Sequence, residues 1–181
     1  MRTYDFETWD VFTEARFGGN PLGIFPAADG LTDAEMLAIA GELNLSETVF
    51  LLPPRSGGHT AVRIFTPGFE VPFAGHPTVG TACFLADAGR VPLEGGHASI
   101  VLEEKVGPVP VSIRVEAGRA TFARLTTAEP PSLQTSDLST AEAARIIRLT
   151  ADDLASTMEG APCQPAHASA EPPGPRSPPM I

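Results

Sequence analysis

Apolar and polar positions change rhythm several times along the chain, and each change marks an element. Over residues 4–12, Tyr4 and Phe6, then Trp9 and Val11, stand two apart, as in a strand with one covered face. Phe17-Gly-Gly-Asn-Pro reads as a turn: Gly tolerates positive φ, and Pro21 biases Asn20 toward an extended shape. Residues 22–25 are a short apolar run, expected to form a buried strand. Thr32, with Glu35 three residues on, makes a capping box. The helix it opens is predicted to reach about residue 43, with Met36, Leu37, Ile39, Ala40 and Leu43 facing inward.

Residues 48–52 and 61–65 read as two strands joined by a Gly-rich hairpin, the first stopped by Pro53-Pro54 and the second by Thr66-Pro67. A second helix is predicted over 74–88, with Pro77 early, where a missing N–H costs little. Val79, Ala82, Cys83, Phe84, Leu85 and Ala86 make it apolar nearly all round, so it should be covered on every side. In a chain this short, that implies a curved sheet wrapped around a helix. Strands are expected over 98–102, 109–115 and 119–125, and Ser139 or Thr140 starts a further helix to about residue 149. Thr150 caps one more turn. The class is α+β.

Composition narrows the function. Hydrophobic residues are 43% and charged residues 19%, as in globular chains. The net charge of −10 disfavours nucleic acid and anionic lipid as partners. No apolar run approaches the ~18 residues of a membrane span. The two cysteines, Cys83 and Cys163, form no ligand cluster, which predicts no metal and a reducing, cytoplasmic setting.

Two segments carry candidate chemistry. Asn44-Leu-Ser-Glu-Thr-Val-Phe places Ser46 and Glu47 at the mouth of a strand just after a helix end. A carboxylate held at such a mouth can be partly desolvated, and desolvation brings a carboxyl toward the range where it both takes and gives a proton. Equally, Ser46 could cap the chain and Glu47 could be a solvated turn residue. Phe73-Ala-Gly-His-Pro-Thr-Val-Gly opens the apolar helix. Gly75 permits close approach to the backbone, and the first N–H groups of a helix suit a carboxylate. His76 at that mouth could donate a hydrogen bond or relay a proton, or could be a satisfied structural residue.

Taken together, Phe17-Gly-Gly-Asn-Pro, Asn44-Leu-Ser-Glu-Thr-Val-Phe, Arg63-Ile-Phe-Thr-Pro and Phe73-Ala-Gly-His-Pro-Thr-Val-Gly resemble, in order and spacing, the phenazine-biosynthesis PhzF-like family over residues 5–150. The resemblance implies one half of a diaminopimelate epimerase-like fold: a curved, antiparallel-rich sheet around a central apolar helix, with the active site between two such halves. It implies an isomerase needing no cofactor or metal, acting on a small carboxylate-bearing substrate. Glu47 matches the residue that moves the proton and His76 a substrate-contacting His. Asn20, Ser46, Gly75 and Thr78 match positions around the substrate. Related epimerases use a thiol at the helix start, where this chain has Gly75-His76. Cys83 lies two turns further on and is expected to be core.

The resemblance also sets an expectation of incompleteness. The family's second-half motif has no match here, and seven of the 22 residues from 160 to 181 are Pro. Residues 1–127 are therefore expected to form a PhzF-like N-terminal domain and 128–159 a helical connector toward a missing second domain. Residues 160–181 are expected to be a disordered tail, from a frameshift or as an ordinary Pro-rich extension. With the opposite wall absent, Glu47 should face solvent and isomerase activity should be weak or lost. The alternatives are a non-catalytic half-domain or a homodimeric binding module in which a second copy supplies the wall.

Overall fold

The computed structural model describes residues 2–127 and 137–158. The Pro-rich segment 160–181 and residues 128–136 of the expected connector lie outside the described residues. Elements run in the order β1 (Glu7–Val11), β2 (Asn20–Phe25), α1 (Asp33–Leu43), β3 (Glu47–Leu52), β4 (Thr60–Phe65), β5 (Glu70–Val71) and α2 (Gly75–Asp87). Then come β6 (His97–Glu104), β7 (Gly107–Glu116), β8 (Arg119–Leu125), α3 (Thr140–Ile146) and α4 (Ala151–Met158). One sheet takes the order β1-β2-β3-β4-β6-β7-β8, with β5 paired to β4. Among the described strands, only β2/β3 and β4/β6 are parallel.

The sheet curls because α2 touches both of its ends. The helix packs on β1, β2 and β3 and also on β6, β7 and β8. From Pro77 to Ala86 every residue of α2 is buried except Cys83, which is half-buried. Gly80 shows how close the wrap is: a Cβ there would lie 2.7 Å from Val11 Cγ2 and 2.7 Å from Leu22 Cδ2. Helix α1 covers the other face, where Met36 and Ala40 meet Phe25, Phe50 and Phe65. Central strands are thus buried on both faces. Ile24, Val49, Leu51, Val62 and Ile64 join the α2 cluster while their neighbours join the α1 cluster. That is why β2, β3 and β4 read as continuous apolar runs.

The capping box expected at Thr32 with Glu35 forms, and of the two starts expected for the later helix Ser139 is the cap, in a second box with Glu142. Asn44 ends α1 in the left-handed region, φ 51°, and delivers the chain directly into β3. Residues 137–158 hold α3 and α4, each opened by a hydroxyl paired with an acid three residues on.

Candidate active site

Local sequence brings the site together at the starts of a parallel strand pair. Because β2 and β3 run parallel, with Leu22 beside Glu47, the segment before Leu22 and the segment before Glu47 emerge at the same edge. Asn20 and Ser46, both exposed, meet there: Ser46 Oγ donates to Asn20 Oδ1 at 3.2 Å. The turn that precedes them differs from expectation in one respect. The left-handed residue is Phe17 (φ 62°), whose N–H donates to Asp10 Oδ2 at 2.7 Å. Gly19 is needed for close approach instead, since a Cβ would lie 2.5 Å from the Val11 carbonyl oxygen.

Opposite Glu47 stands the start of α2. His76 Nδ1 lies 3.4 Å from Glu47 Oε2, with side chains 9% and 21% exposed. Glu47 is therefore mostly covered by this half alone, contrary to the expectation that it would face solvent. Its Oε2 and the Nε2 of His76 are both buried without a hydrogen-bond partner. Burial holds the His76 imidazole below the ordinary histidine value, against the upward pull of the Glu47 carboxylate and the Pro21 carbonyl. The ring is thus mainly neutral at neutral pH and offers one N–H.

The N-terminus of α2 is bare. Its cap residue, Ala74, supplies no side-chain hydrogen bond and the first turn holds no acid. Pro77 has no N–H, and the Thr78 N–H is already used by the Ala74 carbonyl at 3.2 Å. The Gly75 and His76 N–H groups are left at the positive end of a buried helix. A Cβ built on Gly75 would meet nothing within 4 Å, so packing does not demand glycine there.

Thr78 sits differently from the other candidates. It is fully buried, and its hydroxyl lies 2.7 Å from the Ala74 carbonyl oxygen and 2.6 Å from Glu104 Oε1. Glu104 is the acid that sequence reasoning missed. It is 7% exposed, and burial pushes its carboxyl up to about 7 against the opposing hydrogen bond from Thr78. The signal was present in the period: Ala98, Ile100 and Leu102 face inward, and the next inward position is Glu104. Cys83 packs against the core at the seam between β1 and β8, with its thiol pushed up to about 11 by burial, a poor base. Among the described residues, no three His, Cys, Asp or Glu gather as a metal site. No helix among them is long and apolar enough to cross a membrane.

This geometry has known counterparts. The family model described as phenazine biosynthesis-like protein matches residues 9–171. An uncharacterized isomerase of Mesorhizobium japonicum is 47% identical over 132 residues, covering 72% of this chain and 42% of that protein. The trans-2,3-dihydro-3-hydroxyanthranilate isomerase of Pseudomonas fluorescens is 47% identical over 97 residues, 52% of this chain and 35% of that one. A solved PhzF-family phenazine biosynthesis protein from Bacillus anthracis superposes with a TM-score of 0.70 at 35% identity, covering 84% of this chain and 50% of that one. A probable proline racemase from Agrobacterium radiobacter, 20% identical with a TM-score of 0.54, shares the fold. The chain spans less than half the length of the curated relatives it matches. With the family model covering most of its length, the chain belongs to the phenazine biosynthesis-like, or PhzC-PhzF, family.

Proposed function

We propose that this chain carries the proton-moving wall of a cofactor-independent isomerase, with Glu47 as acid and base. The observation that carries this reading is the buried, unpartnered Glu47 Oε2, 3.4 Å from a His76 ring nitrogen and beside a helix start left without a cap. The substrate's carboxylate would rest on the Gly75 and His76 N–H groups, with Asn20 and Ser46 at the rim. Glu47 as carboxylate then takes a proton from one carbon, and the double bonds shift. Glu47 as acid, its proton exchanging with solvent through the exposed part of the side chain, then protonates another carbon of the same molecule. Nothing is oxidised or reduced. Neutral His76 adds one donor toward the charge that develops. Thr78 supports the helix start from below rather than touching substrate.

The names of the relatives make trans-2,3-dihydro-3-hydroxyanthranilate the first substrate to try. The chain spans less than half the length of those relatives, so slow turnover is expected from the 181-residue chain assayed by itself. The test is proton NMR of that compound in deuterated buffer with the purified chain. Glu47-dependent deuterium incorporation at carbon is expected, with Glu47→Gln reducing it by about 100-fold or more. Incorporation that survives in Glu47→Gln, or none at all with the native chain, would sink the proposal.

A further inference from the structure

Glu104 and Thr78 make a hydrogen-bond problem with one good solution. The Thr78 hydroxyl has a single proton and two oxygen neighbours at short distance, the Ala74 carbonyl at 2.7 Å and Glu104 Oε1 at 2.6 Å. A carbonyl can only accept. If Thr78 donates to Ala74, the contact with Glu104 needs a proton on Glu104. Oε2 of Glu104 is buried with no partner, as suits a neutral acid and not a carboxylate. Ala74 is the cap residue of α2, so this relay ends at the helix start.

We propose that Glu104 is a positioning residue, kept as the neutral acid, which donates to Thr78, which donates to the Ala74 carbonyl, and so fixes the bare start of α2. Ionisation of Glu104 turns the Thr78 hydroxyl toward the carboxylate, leaves the Ala74 carbonyl with the Thr78 N–H alone and places a negative charge beneath the Gly75 and His76 N–H groups. Anion binding there is thereby weakened as pH rises. The effect on binding rests on the reading of that helix start as a carboxylate site; the relay itself does not.

The surrounding charges leave Glu104 to act alone. Asp33, Arg55, Arg63, Glu70, Glu103 and Lys105 share a cleft of about 470 Å³ with it. Arg63 is held by Asp33 and Glu70, and Lys105 by Glu70 at 3.1 Å. Glu103 accepts from the backbone N–H groups of Arg55, Ser56 and Gly58 at 2.6, 2.7 and 2.7 Å. The β7 residue opposite Glu104 is Gly107, which carries no charge. On α2 the nearby titrating group is His76, two residues from Thr78, so the experiment removes it.

The test follows the Gly75 amide by nitrogen–proton NMR across pH 4.5–9 in a His76→Gln background, with and without Glu104→Gln. A Gly75 step with its midpoint near 7 is expected with Glu104 and none with Glu104→Gln, whose amide can still donate to Thr78. Glu104→Leu, which cannot donate, should move the Gly75 signal at every pH. Benzoate, titrated into the native chain and into Glu104→Gln alone, reads the binding consequence. The ratio of their dissociation constants should grow about fivefold between pH 5.5 and 8.5. A Gly75 signal indifferent to Glu104, or a constant ratio with benzoate bound, overturns the proposal. A Gly75 step with no benzoate binding at any pH upholds the relay and overturns the carboxylate site.

Discussion

Two side chains on either side of the α2 start titrate in opposite senses. Glu104 is raised, from 4.5 to about 7, so its contribution to stability is complete below about 4.5 and is lost as pH rises through about 7. That difference is worth roughly 3 kcal/mol. His76 is lowered from 6.5, so what it contributes as a neutral ring is present above 6.5 and lost as pH falls through its folded value. Glu104→Gln removes the first dependence and leaves the second. Urea melts of both proteins should diverge with rising pH, the variant gaining about 2–3 kcal/mol over native between pH 4.5 and 8. Parallel profiles would show that Glu104 ionises freely. Gly75 belongs to the same scale. Since a Cβ there meets nothing, Gly75→Ala should fold with stability within about 1 kcal/mol of native, yet bind benzoate more weakly, by titration, because the methyl stands where a carboxylate would approach.

Gly80 gives the opposite expectation on the same helix. Its position inside α2 would favour Ala by about 1 kcal/mol on propensity alone. The two side chains its Cβ would strike, Val11 and Leu22, are 5% and 0% exposed and have little room to turn. Overpacking should win, and Gly80→Ala should lose about 1–3 kcal/mol in a urea melt; a gain would mean that the sheet yields. Elements of this kind were largely legible. The capping box at Thr32, the αL stop at Asn44 and the all-round apolar α2 each have a local cause that a single sequence displays. The two-residue β5 was not, because Glu70 and Val71 carry no period. Its place is set by pairing with Ile64 and Phe65 and by Arg63, which reaches Glu70 across the hairpin at 2.8 Å. Glu47 and His76 could be named as candidates, but their closeness is a product of the β2/β3 register and of the sheet's wrap around α2, which no local pattern states. Thr78 stood among the candidates only through the family resemblance, and its contact with an acid 26 residues away is likewise a product of the fold.

At the scale of the molecule, the question is where the folding unit ends. Among the described residues, the cluster around α2 and the cluster under α1 draw all their members, buried and partly buried, from residues 4–125. Both parallel connections lie within that span, β2 to β3 through α1 and β4 to β6 through α2, and so does the whole sheet. Apolar burial is the main force that offsets chain entropy, and a span that closes both of its clusters does not need residues beyond them to fold. We therefore expect a fragment of residues 1–127 to unfold cooperatively, with a melting temperature within about 4 °C of the 181-residue chain, a difference of roughly 1 kcal/mol or less. Differential scanning calorimetry on both would decide it. A fall of more than about 10 °C, or a melt without a heat-absorption peak, would place essential packing beyond residue 127 and remove the case for residues 1–127 as a domain. If the fragment holds, Glu47, His76 and the bare start of α2 are borne on a scaffold that is complete in itself. The same fragment can then be used for the Glu104 titration, where a shorter chain gives a cleaner spectrum.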